Sequence, residues 1–321
     1  MFYSNKKVLV TGGTGFVGSH IVRALLRTGA CIRVPVHVRQ MQADISSVET
    51  VFADLMQWEG CRAAARGVDY VIHAAGTVGA AGVKDYQLME GITKNLILTA
   101  HMLQASWAEG VKKIVVFGSS TGYPPYSHPV KEEEMWLDEP HPAYAGYGWM
   151  RRYIEKLGEY VSGQSECKVV IIRPSAVYGP GDNFMEKTSH VIPALIKRSV
   201  GRENPFIVWG TGDEVRDFIH VADFARACLL ALAKCNDFDP INIGSGKGST
   251  IREIVGLILD AVGHKDVQIF FDGTKPATIP FRMVSIDKAR QMLDFEPQIP
   301  LEEGIRDTVE WYMSTLTPPI R

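Results

Sequence analysis

The stretch "VLVTGGTGFVGSHI", residues 8–21, decides the fold of this chain. An apolar, β-branched run leads into Gly12, Gly15 and Gly18 at three-residue spacing, and a helical pattern follows from Phe16. Strand, glycine turn and helix in that order predict a dinucleotide cradle. Glycine permits the tight turn, the close approach of backbone to pyrophosphate, and close helix–strand packing. The helix start then offers unpaired N–H groups and a positive dipole end to the phosphates. Gly12, Thr14, Gly15, Phe16, Val17 and Gly18 are therefore candidate cofactor contacts. The bland alternative is a plain strand–turn–helix.

Working outward, short apolar runs alternate with helical stretches. Strands are expected at "CIRVPV", "SVETVFAD", "VDYVIHAA", "KKIVVFGSS" and "KVVIIRP", with helices over 85–107 and 147–162. Such alternation predicts βαβ units and a parallel sheet covered on both faces. Beyond Arg173 the pattern loosens into short strands ("FIVWG", "DFIHV", "PINIG") and helices over 251–262 and 301–313. The expected fold class is α/β: a Rossmann-type, doubly wound parallel sheet with a smaller mixed C-terminal substrate lobe. The expected division is 1–174 for the cofactor domain and 175–321 for the lobe, with strands near 215–245 returning to the sheet. Ligands of open α/β sheets bind at the carboxyl ends of the strands.

Composition narrows the partners. The chain has 321 residues, 46% hydrophobic and 22% charged, with a net charge of −2. Interspersed charge marks neither a nucleic-acid binder nor a membrane-surface protein. No apolar run reaches the roughly 18 residues that cross a bilayer, and the start runs directly into a strand. Cys31, Cys61, Cys167, Cys228 and Cys235 show no metal-ligand spacing, so no metal is expected. Free thiols in a reducing, cytoplasmic setting are the expectation.

A carboxylate at the end of the second strand would hold an adenosine ribose hydroxyl and favour NAD. Here His37 and Arg39 follow that strand and the nearest carboxylate is Asp44, which favours NADP over NAD. Both could equally be solvated loop residues. Asp54 and Leu55 follow the third strand, where adenine would lie. Ala74, Ala75 and Gly76 follow the fourth, small residues where a cofactor backbone passes.

The glycine pattern, "FADL", "HAAG", "FGSSTGYP", Tyr147, "IIRPSAVYGPGDNF" and "VRDFIHVADFA" occur in order over nearly the whole chain. Together they resemble the extended short-chain dehydrogenase/reductases that act on nucleotide sugars as epimerases, reductases and dehydratases. Within that group "SHVIPALI" and "VWGTGDEVRDFIHVADFA" are most similar to the GDP-L-fucose synthases, the GDP-4-keto-6-deoxymannose epimerase/reductases. The resemblance implies that Ser119 hydrogen-bonds the sugar C4 oxygen while Tyr147 exchanges a proton with it. It implies an acid role for His190, substrate contacts at Ser120, Asn183, Val191, Lys197, Trp209 and Arg216, and nicotinamide contacts at Pro174, Ser175 and Val177. It also implies a homodimer built from the two long helices, as a four-helix bundle. Read alone, Ser119 and Ser120 could cap the next segment, His190 could start a helix, Trp209 could be core, and Arg216 could be a solvated charge. Trp149, Met150 and Tyr153 read as packing residues.

Two positions depart from the family pattern. The residue four after Tyr147 is Arg151, not Lys. A cation within roughly 4–6 Å stabilises a phenolate, so arginine keeps the charge and the ribose donors. It is effectively never deprotonated and cannot join a proton relay. Thr121 stands where fucose synthases carry the cysteine that removes carbon-bound protons, and a hydroxyl cannot do that unaided. The expected chemistry is hydride transfer at C4 of a GDP-linked sugar, by a ketoreductase or 4-epimerase. The full epimerase/reductase and a cofactor-binding protein with little turnover are the alternatives.

Overall fold

The computed structural model describes residues 2–41, 45, 48–77, 86–185, 188–275 and 279–316. Seven parallel strands form the main sheet: β1 (Lys7–Thr11), β2 (Cys31–Val36), β3 (Glu49–Phe52), β4 (Tyr70–His73), β5 (Lys113–Phe117), β6 (Lys168–Pro174) and β10 (Ile241–Ile243). Their spatial order is β3-β2-β1-β4-β5-β6-β10. The chain therefore reverses direction across the sheet between β1 and β4, the switch point where such sheets open a crevice for ligands.

Successive residues of a strand point to opposite faces; β1, β4, β5 and β6 bury both, whereas the edge strand β3 is mostly exposed. Val8 and Val10 of β1 join a core with Val34, Ile72, Val115, Val170 and Ile172. On that face lie α1 (Phe16–Leu26) and α6 (Val221–Lys234). Leu9, between the two valines, joins Val71, Ile114, Val116, Val169 and Ile171 on the other face. That face is covered by α2 (Trp58–Ala65), α3 (Tyr86–Ala108) and α4 (Ala145–Gln164). Two buried faces explain why the inner strands β1, β4, β5 and β6 read as nearly unbroken apolar runs. The expected start of α3 at Asp85 lies outside the described residues.

The remaining strands form smaller sheets. β9 (Val215–His220) pairs with β7 (Ala176–Tyr178), β11 (Gly248–Thr250) and β13 (Phe281–Arg282), while β8 (Phe206–Trp209) pairs with β12 (Ile269–Asp272). Of the strands near 215–245, β10 thus joins the main sheet and β9 the smaller one. A third core joins α5 (Val191–Val200), α7 (Ile251–Val262) and α9 (Leu301–Leu316) through Leu195, Phe206, Ile254, Ile258 and Ile305. α7 starts at a capping box, Thr250 with Glu253, and stops at Gly263 with φ +66°, the start and stop chemistry its sequence carries.

Two helix α4 expectations need correction. Met150 is buried, but Trp149 is 47% and Tyr153 57% exposed. The two are one helical turn apart, on an exposed stripe beside the buried Met150, Ile154 and Gly158. Four-residue spacing marks a stripe on a helix without saying which side meets the core.

Candidate active site

Gly12 follows β1 with φ +67°, and a Cβ there would lie 2.7 Å from the Ala74 carbonyl oxygen. A Cβ on Gly18 would lie 2.1 Å from the Gly12 carbonyl oxygen. Only glycine at both places lets the turn, α1 and the chain after β4 meet so closely. Thr14 is half-buried within this turn. Gly15 is the N-cap of α1 and brings no capping side chain. The first helical N–H bond runs from Ser19 to the Gly15 carbonyl, at 3.0 Å. The N–H groups of Phe16, Val17 and Gly18 are thereby left to an anion, which fits the diphosphate of a dinucleotide.

The other cofactor candidates line the same edge of the sheet. His37 and Arg39 are exposed just beyond β2, and the His37 ring meets Phe52 of β3 edge-on at 5.6 Å. Asp54 accepts a hydrogen bond from the Met56 N–H at 2.9 Å, ordering the turn beside buried Leu55. After β4, the Ala74 and Ala75 N–H groups donate to the Thr11 carbonyl and hydroxyl at 3.2 and 3.1 Å. Gly76 abuts the Asn95 side-chain oxygen. Pro174 ends β6, the Ser175 N–H donates to the Ile243 carbonyl at 2.8 Å, and Val177 lies in β7.

Beyond β5, Ser119 caps a short 3-10 turn, residues 120–122. Its hydroxyl oxygen accepts from the Thr121 N–H at 3.1 Å and from the Thr121 hydroxyl at 2.9 Å. Ser119 retains its own hydroxyl proton to donate. Tyr147 and Arg151 sit four apart on α4. The Tyr147 hydroxyl donates to the Thr77 carbonyl at 3.3 Å, and Arg151 Nη1 donates to the Phe117 carbonyl at 2.9 Å. Arg151 Nε is buried with no partner, a donor left over for a bound group. Burial pulls the Arg151 pKa down, while Tyr147 and Glu155 oppose that shift.

In the smaller lobe, Asn183 is engaged in its own turn: its amide donates to the Thr188 hydroxyl at 2.8 Å and accepts from the Met185 N–H at 3.0 Å. His190 is the N-cap of α5, followed by exposed Val191 and, two turns on, half-buried Lys197. Its Nδ1 lies 4.0 Å from buried Asp182, whose carboxyl burial pushes up to about 7. Trp209 closes β8 with 62% of its surface exposed, so it is not core. Arg216 of β9 sits in register with Arg282 of β13. The Arg282 guanidinium lies 4.8 Å over the Tyr144 ring. Among the described residues no carboxylate lies within ion-pair distance of either arginine. Two like charges sharing a face without a counter-ion favour an anionic ligand. Tyr144 and Arg282 also line a cavity with Ser120, Thr121, Tyr123, Phe281 and Met283.

The NAD dependent epimerase/dehydratase family matches residues 8–244. The chain belongs to this family. GDP-L-fucose synthase 1 of Arabidopsis thaliana is 30% identical over 97% of this chain and 94% of its own length. A dTDP-4-dehydro-6-deoxy-D-allose reductase of Streptomyces sp is also 30% identical, over 97% of both chains. Among solved structures, UDP-glucose 4-epimerase from Thermotoga maritima superposes with a TM-score of 0.86 at 26% identity. That match covers 97% of this chain and 100% of that one. This epimerase/dehydratase is therefore an NAD(P)-dependent enzyme of the extended short-chain dehydrogenase/reductase type. No described helix is long and apolar enough to cross a membrane.

The structure of this epimerase/dehydratase adds residues that its sequence did not single out. Asn95 of α3 is buried and holds Thr77 from both sides, its amide donating to the Thr77 carbonyl at 2.8 Å and accepting from the Thr77 N–H at 3.0 Å. It thereby fixes the carbonyl that Tyr147 meets. His73 is buried between the Thr11 and Thr99 hydroxyls, and burial first, then the Arg151 charge, holds its pKa down to about 3. Glu155 and Arg173 form a buried ion pair beneath Gly118. Asn95 stands in a helical context that reads as ordinary. Arg282 lies more than sixty residues after Arg216, and only their strand register unites them.

Proposed function

We propose that this enzyme interconverts a ketone and an alcohol at C4 of a nucleotide sugar, as a ketoreductase or 4-epimerase. The proposed substrate is GDP-linked and the proposed cofactor is NADP. The names of its relatives, the arginines Arg216 and Arg282 with no carboxylate partner among the described residues, and His37 with Arg39 support those choices. The observation that carries the reading is the Ser119–Thr121 hydrogen bond at 2.9 Å. The side chain at 121 is a hydroxyl that serves Ser119, so this position supplies no strong base to the carbons beside C4.

A bound nicotinamide supplies hydride to C4 or takes it back. Tyr147 gives the C4 oxygen its proton in the reducing direction and removes it in the other. Ser119 donates a hydrogen bond to that oxygen. Arg151 holds the nicotinamide ribose through its free donors, and Pro174, Ser175 and Val177 line that end of the cofactor. Gly12 through Gly18 take the diphosphate, with Asp54, Leu55, Ala74, Ala75 and Gly76 along the adenosine half. Lys197, Trp209, Arg216, Asn183, Val191, His190 and Ser120 contact the nucleotide sugar. Residues 1–174 would form the cofactor domain and 175–321 the substrate lobe. Pairing of α3 and α4 with a second copy gives a cytoplasmic homodimer, consistent with exposed Trp149, Tyr153 and Tyr160.

The test is hydride transfer from NADPH to a GDP-4-keto-6-deoxy sugar, followed at the nicotinamide band in D2O. Loss of the band with deuterium confined to exchangeable positions supports C4 chemistry alone. Deuterium at C3 or C5 favours the full epimerase/reductase, a reading that the fucose-synthase relatives keep open. Binding of both ligands without any oxidation of NADPH sinks the enzyme assignment for that substrate.

A further inference from the structure

Tyr147, Arg151 and Glu155 follow one another at four-residue spacing along α4 and share one face. On a helix surface, residues four apart of opposite charge ordinarily pair. Arg151 and Glu155 do not. Both Glu155 oxygens are taken by Arg173 of β6, Nε to Oε1 at 3.0 Å and Nη2 to Oε2 at 2.7 Å. The pair is almost fully buried, with 1% and 2% of the two side chains exposed. Arg173 is itself tethered: Nη1 donates to the Tyr123 hydroxyl at 2.8 Å and to the Glu132 carbonyl at 2.9 Å. Among the described residues Arg151 therefore has a single side-chain hydrogen bond, to the Phe117 carbonyl, and a buried Nε without a partner.

We infer that Arg173 is a positioning residue for the cofactor site: by holding both oxygens of Glu155, it keeps that carboxylate off Arg151. Released, Glu155 would capture Arg151 as an ordinary pair one turn apart. The guanidinium would leave the Phe117 carbonyl, and its free donors would be spent on the protein. A bidentate arginine is needed because a lysine ammonium is a point charge and cannot close both oxygens at once. The inference rests on the reading that Arg151 meets the cofactor.

The test is NADPH affinity, by fluorescence titration, in a small set of variants. Arg173→Lys weakens binding about tenfold, the effect of an interaction near 1.4 kcal/mol. Adding Glu155→Gln to that variant restores affinity to within about threefold of the parent, because a neutral amide cannot seize Arg151. A crystal structure of Arg173→Lys without cofactor then shows Glu155 paired with Arg151. If Arg173 merely supports the fold, the second substitution brings no recovery, and that result overturns the inference. So does an Arg173→Lys protein with unchanged affinity. Should Arg173→Lys fail to fold, the doubly neutral Arg173→Gln, Glu155→Gln protein decides. Near-parental affinity there supports the inference, and a tenfold loss overturns it. A wrong cofactor reading has its own signature: the unsubstituted protein then binds neither NADPH nor NADH, and both proposals fall.

Discussion

Arg151 donates to the Phe117 carbonyl at 2.9 Å and makes no hydrogen bond to Tyr147, one helical turn before it. The cation expected to partner the phenol is anchored to the carboxyl end of β5, two residues before Ser119. Arginine length is used in that reach. Arg151→Lys is therefore expected to lower kcat/KM about tenfold, the loss of one charge-assisted hydrogen bond. Steady-state NADPH oxidation measures it, and a gain in activity would mean that arginine is a handicap at this site.

Gly18 is the glycine of the proposed cofactor turn with least room. A methyl group there would stand 2.1 Å from the Gly12 carbonyl oxygen, a backbone atom that cannot swing aside. Gly18→Ala should cost about 1–3 kcal/mol in stability and at least about tenfold in NADPH affinity. Thermal unfolding and fluorescence titration separate the two losses. A parental affinity would show that α1 can shift without harm to the cradle.

Asp182 carries a pH prediction. Burial pushes its carboxyl up to about 7 in the folded chain, against about 3.9 when unfolded. Over that window the folded chain keeps a proton that the unfolded chain has released, so stability falls as pH rises from about 4 to about 7. Asp182→Asn removes the titration and keeps an oxygen for the Asn183 N–H. Its melting temperature should exceed the parent's at pH 8, by about 2–4 °C per kcal/mol recovered, and match it near pH 4. Equal melting temperatures at pH 8 would place the ionised carboxylate at no disadvantage.

Trp149, Tyr153 and Tyr160 leave an aromatic stripe on the outer side of α4. If that stripe meets a second copy, Trp149→Glu with Tyr153→Glu should halve the mass seen by light scattering after size exclusion. The sheet and its cofactor affinity should survive. A parent that runs as a monomer would remove the dimer proposal altogether.

The middle of the main sheet was legible because β1, β4, β5 and β6 are buried on both faces and so spell nearly unbroken apolar runs. α2 was not. Its eight residues include Gly60, which reads as a helix breaker. A Cβ at Gly60 would meet the Asp54 carbonyl at 2.1 Å, so tertiary packing requires the glycine. The glycine cradle was legible for the opposite reason, since its constraints are local in sequence. Arg282 and Tyr144 join Arg216 through strand pairing and a cavity, and no local spacing encodes such a meeting. Trp149 and Tyr153 showed a stripe whose direction the spacing could not give.

β10 has a consequence for how the molecule comes into being. It is three residues long, yet it closes the open side of β6. Its Asn242 also accepts from the Tyr123 hydroxyl at 2.6 Å and donates its backbone N–H to Glu132 at 2.8 Å. A chain still being synthesised, or one cut after residue 174, exposes a naked strand edge and strands those buried polar groups. Such an edge invites pairing with other chains. Residues 1–174 alone should therefore not be obtainable as a soluble fragment, and maturation should wait on the late arrival of residues 241–243.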